Sequence, residues 1–193
     1  LAARPIADPI HLFDCVMPCA GAEALLVMRE ETARAQNLPA VRLLATIERH
    51  NAVGDTVQLR GGWVADIDEL YAMAGLTPAD IDLLQTYDDY PFISMMQFED
   101  LGFCAKGEGA EFVRAHDLTI DGDFPHNVSG GQLSCGQAGA AGAYIGITEA
   151  MRQVTGTAGP TQVTGARIAL ASGFGMINYD RGLSSGAVIL AGD

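Results

Sequence analysis

The chain has 193 residues, 49% of them hydrophobic, which is enough to bury one sizeable core. Its 24 acidic and 11 basic residues give a net charge of −13 without any Lys/Arg cluster, so nucleic acid is excluded as an expected partner. No apolar run approaches the roughly 20 residues that cross a bilayer, which predicts a cytoplasmic protein without a membrane span.

Apolar runs and helical periodicity divide the first part of the chain into four predicted elements. They are a strand over residues 20–28, a short helix over 29–36, a strand over 41–47 and a helix over 63–74. A polar connection over residues 51–62 separates the last two. Gly75 is placed to end the fourth element.

The four residues Thr77-Pro78-Ala79-Asp80 combine a helix N-cap with proline at the first helical position. They predict one helical turn before a buried strand over residues 81–86. The polar run Tyr87-Asp88-Asp89-Tyr90 follows that strand directly. Sites in α/β sheets form at the carboxyl ends of strands, so this run is a candidate site.

Two helices and two strands are predicted in the remainder, apart from the glycine-rich region. The helices cover residues 92–101 and 107–113, and the strands cover 167–171 and 186–190, with a long turn over 172–185. Strands that alternate with helices in this way indicate one α/β unit.

A glycine-rich turn over residues 129–139 leads into an amphipathic helix that runs from Ala140 to Gly156. Glycines permit tight turns and close approach of a ligand, and a helix N-terminus attracts an anion or a polarised carbonyl. The turn is therefore a candidate thioester or phosphate site. The alternative is a packed turn without a ligand.

Three motifs resemble the C-terminal half of thiolases. The resemblance is strongest to thiolases of the sterol-carrier-protein type and to thiolase-like lipid-transfer proteins. The run Asn127-Val128-Ser129-Gly130-Gly131 and the turn and helix after it are similar to N-P-S-G-G, G-H-P-x-G-A-x-G and a following helix. The run at 87–90 is similar to H-D-C-F, and residues 98–104 are similar to E-A-L-G-L-C. Residues 4–9 and 21–28 resemble R-P-x-x-x-P and a D-G-A-A-A strand.

The resemblance implies a thiolase-like layered α/β fold, with a mixed sheet flanked by helices, equivalent to the C-terminal half of a duplicated fold. Residues 1–55 then correspond to the end of the N-terminal domain and a linker, and residues 56–193 to the C-terminal domain. We expect a fragment, a processed product or one part of a split protein. Its partner is a missing N-terminal half or another subunit that carries the nucleophilic cysteine, and a homodimer is implied.

The residues that carry thiolase chemistry differ in this chain. The family's G-H-P turn reads Gly136-Gln137-Ala138, and an amide cannot accept and return a proton near pH 7. The position of the second cysteine falls within residues 169–175, which contain Ser172 but no thiol. At the strand end Tyr87 replaces the family's His, whereas Asp88 keeps the family's Asp.

The resemblance therefore predicts the following site. The catalytic candidates are Tyr87, Asp88, Gln137 and Tyr179. The substrate-binding candidates are Asn127, Gly130, Gly131, Gly136, Gly139, Ser172 and Gly173. No metal and no cofactor are expected, and coenzyme A enters only as part of an acyl-CoA substrate.

Three functions stay open on the sequence alone. The first is acyl transfer or carbon–carbon cleavage at a CoA thioester, as in an acetyl-CoA acetyltransferase or lipid-transfer thiolase. The second is retro-aldol cleavage of a β-hydroxyacyl-CoA, with Tyr87, Tyr90 or Tyr179 as acid and base and an OB-fold partner. The third is a non-catalytic scaffold or binding subunit.

The cysteines and histidines have structural interpretations beside the functional ones. The four cysteines (Cys15, Cys19, Cys104 and Cys135) form no CxxC pair and fit reduced thiols better than disulfides or a metal site. Cys135 is interpreted as packing rather than as a relocated nucleophile. His126 is interpreted as a hydrogen-bonded structural residue rather than as a substitute for the lost imidazole.

Overall fold

The computed structural model describes residues 3–51, 59–178 and 181–192. Tyr179, one of the predicted catalytic residues, lies outside the described residues. In chain order the strands and α-helices are β1 (Pro5–Ala7), β2 (Ile10–His11), α1 (Glu30–Ala35), β3 (Arg42–His50), α2 (Ile67–Ala74), β4 (Leu83–Gln85), α3 (Pro91–Asp100), α4 (Gly109–Ala115), α5 (Gly131–Cys135), α6 (Tyr144–Val154), β5 (Ile168–Asn178) and β6 (Arg181–Ala191).

The main sheet has the strand order β3-β6-β5-β4. β6 pairs antiparallel with both β3 and β5, whereas β4 pairs parallel with β5 through Leu83 opposite Ala169. The sheet is therefore mixed, as expected. The parallel pair places the residues after β4 at the same edge as the middle of β5, and the candidate site lies at that edge.

Helices pack on both faces of the sheet. Leu170 of β5 belongs to a core cluster with Trp63, Leu70 of α2 and Phe98 of α3. Its neighbour Ala169 belongs to a second cluster with α6 residues. Successive side chains of a strand point to opposite faces, so α2 and α3 cover one face and α6 covers the other. The predicted layered α/β architecture is confirmed.

Glycine and proline signals correctly located the end of α2 and the turn that follows it. α2 ends at Gly75, which has a left-handed φ of 68°. The predicted turn at Thr77 is a 3₁₀ turn over Pro78–Asp80, where the Asp80 carboxylate accepts a hydrogen bond from the Thr77 backbone N–H. The predicted helix over 63–74 is divided at Asp66 into a 3₁₀ turn and α2.

The predicted strand over residues 20–28 is wrong. Residues 19–29 form no regular secondary structure, and Leu26 and Val27 are 78% and 91% exposed. The apolar composition is that of a strand, but a strand needs a neighbour for its backbone hydrogen bonds. No strand of the described residues pairs with residues 20–28.

The predicted long turn over residues 172–185 is also wrong, because β5 extends to Asn178 and β6 begins at Arg181. Gly173 pairs with Gly186, and Gly175 pairs with Ser184. Glycine and serine indicated a turn, but the ladder of backbone hydrogen bonds needs no particular side chain. Ser172 and Gly173 therefore lie in a strand rather than in a loop.

The helices of the described segments are short. The longest is α6 with 11 residues, and none has the length and apolar character required to cross a bilayer.

Candidate active site

The candidate site lies where β4 ends, between the residues that follow this strand, the short helix α5 and the beginning of α6. These segments enclose a cavity of about 10 Å³ that Tyr87, Asp88, Asn127, Gln132 and Ser172 help to line. That volume is close to the space one water molecule needs. The site is thus a tightly packed group of polar side chains at the predicted edge of the sheet.

Tyr87 and Gln137 are in direct contact. The Gln137 Nε2 donates a hydrogen bond of 2.6 Å to the Tyr87 hydroxyl. The Gln137 backbone is held by an N-terminal segment, because its N–H donates to the Met17 carbonyl and its carbonyl accepts from the Cys19 N–H. The structure therefore brings together two of the predicted catalytic residues that are 50 positions apart.

The Tyr87 hydroxyl is held in its protonated form. Burial raises the pKa of Tyr87, the charge of Asp89 raises it further, and the hydrogen bond from Gln137 opposes both. A phenol with a raised pKa keeps its proton at neutral pH. Its hydroxyl can then donate this proton to a carbanion or an oxyanion.

Asp88 lies at the N-terminus of α5. It is 4% exposed, and its Oδ1 accepts a hydrogen bond of 2.7 Å from the Gln132 backbone N–H. Burial raises its pKa to about 6, against the effect of the backbone N–H groups of Gln132 and Leu133. A Cβ on Gly131 would come within 2.0 Å of the carboxylate, so only glycine fits beside it. Asp88 holds the helix in place.

The Asn127 amide is fully engaged with the chain. Its Oδ1 accepts from the Thr86 N–H at 2.8 Å, and its Nδ2 donates to the Thr86 carbonyl at 3.2 Å. These two bonds continue the edge of β4 as a neighbouring strand would. Asn127 lines the cavity, but its contacts shape the strand end.

The predicted substrate-binding glycines have different surroundings. A Cβ on Gly130 would come within 2.7 Å of the Ser134 side chain, and one on Gly136 within 2.8 Å of the Cys19 Sγ. Both positions also have positive φ, so glycine is required by packing and backbone conformation. Gly139 has a φ of 55° but nothing within 4 Å of a Cβ, so it has free space beside it.

The two predicted residues of β5 are placed differently from one another. Ser172 lines the cavity, and its hydroxyl donates a hydrogen bond of 2.7 Å to the Gln97 Oε1. Gly173 pairs with Gly186 inside the sheet and does not line the cavity.

His126 has the surroundings of a structural imidazole. Its Nε2 is 2.7 Å from the Thr86 hydroxyl, and its ring packs edge-on against Phe98 at 4.8 Å. Burial lowers its pKa to about 3, so the ring is neutral at physiological pH. His126 is hydrogen-bonded to Thr86 and buried, and it does not line the cavity.

Cys135 lacks the properties of an activated thiol. Its Sγ donates to the Ser129 carbonyl at 3.3 Å, and burial and the charge of Asp88 raise its pKa. Thiolate chemistry needs a lowered pKa. Tyr90, a candidate from the sequence, stacks on Phe92 outside the cavity.

Two further polar residues of the site, Gln132 and Gln85, were not predicted from the sequence. Gln132 is 2% exposed, and its Oε1 accepts a hydrogen bond from Gln137. Gln85 is 1% exposed, lines the cavity, and its Nε2 has no partner among the described residues. The available signal was a polar residue within an apolar strand and another directly after Gly130-Gly131.

The chemistry that this arrangement offers is proton donation and hydrogen bonding. The side chains around the cavity supply amides, hydroxyl groups and one carboxyl group. Among the described residues, no three His, Cys, Asp or Glu side chains come together to hold a metal ion.

Comparison with known proteins agrees with this architecture. Residues 59–190 match the model of a family described as thiolase C-terminal domain-like. The chain aligns along its whole length with half of the Ltp2-ChsH2(DUF35) aldolase structure, with a TM-score of 0.76 and 27% identity.

Two curated relatives are similar over most of the chain. A steroid side-chain-cleaving aldolase of Thermomonospora curvata is 34% identical in an alignment of 183 positions that covers 89% of this chain and 46% of the relative. An acetyl-CoA acetyltransferase of Methanothermobacter thermautotrophicus is 32% identical in an alignment of 175 positions that covers 88% of this chain and 45% of the relative.

This chain spans less than half the length of both relatives. The family match nevertheless covers about two thirds of the chain and includes the strand end, α5 and α6. The predicted resemblance is confirmed, and the chain belongs to the thiolase C-terminal domain-like family.

Proposed function

We propose that this chain forms part of the site of an enzyme that cleaves a β-hydroxyacyl-CoA by a retro-aldol reaction, with Tyr87 as proton donor. The observation that carries the proposal is the hydrogen bond from Gln137 to the Tyr87 hydroxyl. A thiolase of the resembled type has an imidazole where this chain has Gln137. This change replaces a base with a hydrogen-bond donor, and the separate replacement of the family's strand-end His by Tyr87 places a phenol beside it.

The reaction needs only proton transfers. The bond between Cα and Cβ breaks, its electron pair forms the thioester enolate, and the β-carbon becomes a carbonyl as its hydroxyl loses a proton. The enolate then takes one proton at Cα, so atoms and electrons balance without an oxidant or reductant. The protonated Tyr87 supplies that proton, and Tyr179 is the candidate for the group that accepts the hydroxyl proton.

Two of the similar proteins support this reaction class by their names, one a steroid side-chain-cleaving aldolase and the other the Ltp2-ChsH2(DUF35) aldolase. Acyl transfer is the second candidate, supported by the similarity to an acetyl-CoA acetyltransferase. It requires a cysteine nucleophile from another part of the protein, because Cys135 is not activated.

The proposed partners follow from the net negative charge of this chain and from its exposed apolar residues. A net charge of −13 disfavours binding of the CoA phosphates by this chain, so we assign that role to the missing half or to another subunit. The exposed apolar residues Leu25, Leu26, Val27 and Met28 are proposed to contact this partner. An OB-fold partner and a homodimer are part of the same proposal.

The test is turnover of a β-hydroxyacyl-CoA and of acetoacetyl-CoA by the full-length protein and its Tyr87→Phe variant. We expect cleavage of the β-hydroxyacyl-CoA to fall by about 10² to 10⁴ in the variant, the usual contribution of a general acid. Tyr71→Phe is the matched control, because it removes a hydroxyl that donates to the Leu101 carbonyl away from the site. Acetoacetyl-CoA thiolysis that is unaffected by Tyr87→Phe contradicts the proposal and favours acyl transfer.

A further inference from the structure

The side-chain amide of Gln137 has two hydrogens on Nε2, and the structure gives each an acceptor. One is the Tyr87 hydroxyl oxygen at 2.6 Å, and the other is the Gln132 Oε1 at 3.2 Å. The three side chains therefore form a chain of hydrogen bonds that ends at the proposed proton donor. Gln132 is the member that does not contact Tyr87.

Gln132 is more deeply buried than Gln137. It is 2% exposed, and its backbone N–H donates to the Asp88 Oδ1 at 2.7 Å. On the other side lies Gly142, where a Cβ would come within 2.5 Å of the Gln132 Oε1 and 2.9 Å of the Gln137 Cγ. The absence of a side chain at Gly142 leaves the space that the two amides occupy.

With the Gln132 Oε1 directed at Gln137, this arrangement selects one orientation of the Gln137 amide. A rotation by half a turn would place the Gln137 Oε1 against the Gln132 Oε1, which replaces a hydrogen bond by contact between two acceptors. Loss of a hydrogen bond in a buried site is costly, so the Nε2 stays directed at Tyr87. The Tyr87 oxygen then accepts, and its own hydrogen is free for a ligand.

We propose that Gln132 is a positioning residue of the proposed reaction, which orients the Gln137 amide so that Tyr87 donates its proton to the substrate. The inference rests on the proposed function for its role in catalysis. The orientation itself is measurable without turnover. Gln132 touches no reacting atom and acts only through Gln137.

The experiment follows the ionisation of Tyr87 by NMR in the full-length protein labelled with ¹³Cζ-tyrosine, with the signal assigned by Tyr87→Phe. The variants are Gln132→Met, Gln137→Met and the double variant. The hydrogen bond from Gln137 lowers the pKa of Tyr87, so its loss raises the midpoint. We expect a rise of about one pH unit in each single variant, as for a hydrogen bond to a charged group.

The double variant distinguishes an effect of Gln132 that acts through Gln137 from an effect on Tyr87 that is independent of Gln137. If Gln132 acts through Gln137, the double variant has the same midpoint as Gln137→Met alone. Gln153→Met is the matched control, because it removes another fully buried glutamine whose hydrogen bonds lie within α6 and the loop after it. Its Tyr87 midpoint stays at the wild-type value.

An unchanged midpoint in Gln132→Met, or shifts that add in the double variant, overturns the inference. Should Gln132→Met fail to fold, Gly142→Ala displaces the same amides by a single methyl group and is expected to raise the midpoint as well. Turnover is measured separately. Full activity of Tyr87→Phe would contradict the proposed reaction, whereas the NMR midpoints decide the orientation of Gln137 on their own.

Discussion

Asp88 and His126 are two titratable residues near the end of β4 whose pKa values are shifted in opposite directions. Burial raises the pKa of Asp88 from 3.8 to about 6, so the folded protein favours its protonated form. Burial lowers the pKa of His126 from 6.5 to about 3, so the folded protein favours its neutral form. The fold therefore disfavours the charged form of both groups.

The two shifts change stability with opposite sign over the same pH range. The stability due to Asp88 is present below its unfolded pKa and is lost as the pH rises through about 6. The stability due to His126 is present above pH 6.5 and is lost as the pH falls toward about 3. Between these limits the contributions partly cancel in the wild-type protein.

Single variants should separate the pH-dependent stability contributions of Asp88 and His126, which partly cancel in the wild-type protein. From about pH 4 to about pH 7, we expect the free energy of unfolding of the wild type relative to Asp88→Asn to fall by roughly 3 kcal/mol. Relative to His126→Gln it should rise by a similar amount. Urea denaturation at several pH values measures both differences. Differences that do not change with pH would show that neither group titrates with the assigned shift.

At the scale of elements, α5 depends on the contact between its first turn and Asp88. Gly131 and Gly139 provide a matched pair there, because both have left-handed φ values, 58° and 55°. They differ in space, since a Cβ on Gly131 comes within 2.0 Å of the Asp88 Oδ2 and one on Gly139 meets nothing within 4 Å. Comparison of the two isolates the effect of the clash from that of the backbone.

Gly139→Ala should lose about 1 kcal/mol of unfolding free energy, the usual cost of a left-handed alanine. Gly131→Ala should lose at least about 2 kcal/mol more, because α5 must move away from a buried carboxyl group. Urea denaturation of both variants provides the measurement. Equal losses would mean that the close contact of Gly131 with Asp88 does not constrain the helix.

Much of the element pattern was predictable because its signals are local. Helical periodicity and the glycine at 75 located α2, and the same type of signal located α3 and α6. The lengths of β5 and β6 were not predictable, because the pairs Gly173–Gly186 and Gly175–Ser184 are held by backbone hydrogen bonds that composition does not reveal. The strand predicted over residues 20–28 was wrong because their composition favours a strand, but the described residues offer no neighbouring strand to pair with it.

The candidate site was predictable only where a motif gave its positions. Tyr87 and Gln137 were selected by their places in two motifs, and their mutual contact is a result of the fold. Gln132 was not predicted, because its role rests on contacts with Asp88, which lies 44 positions away, and with Gln137. Such a side-chain network has no signature within a short window of sequence.

At the scale of the whole molecule, an apolar patch is exposed on the N-terminal segment. Leu25, Leu26, Val27 and Met28 follow one another along the chain, and Val27 is 91% exposed. Scattered apolar residues are normal on a protein surface, but contiguous ones mark contact sites. This patch also lies outside the residues that match the family model.

The double variant Leu26→Ser/Val27→Ser should reduce self-association of the 193-residue chain and its binding of a hydrophobic dye. The reason is the removal of two adjacent apolar side chains from water-exposed positions. Light scattering and dye fluorescence measure the effect. Met73→Ser/Val113→Ser serves as control, because these exposed residues belong to separate helices. Equal effects of both double variants would contradict a specific contact surface.

The N-terminal segment also reaches the candidate site. The Val16 N–H donates to the Asp89 carbonyl, Met17 accepts from the Gln137 N–H, and Cys19 donates to the Gln137 carbonyl. Only a few residues later the same segment exposes Leu25. Residues 19–25 therefore connect this patch along the chain to the segment that holds the Gln137 backbone by hydrogen bonds. Coupling between two binding sites is reciprocal. If bound substrate raises the affinity for the partner by some factor, the bound partner must raise the affinity for substrate by the same factor.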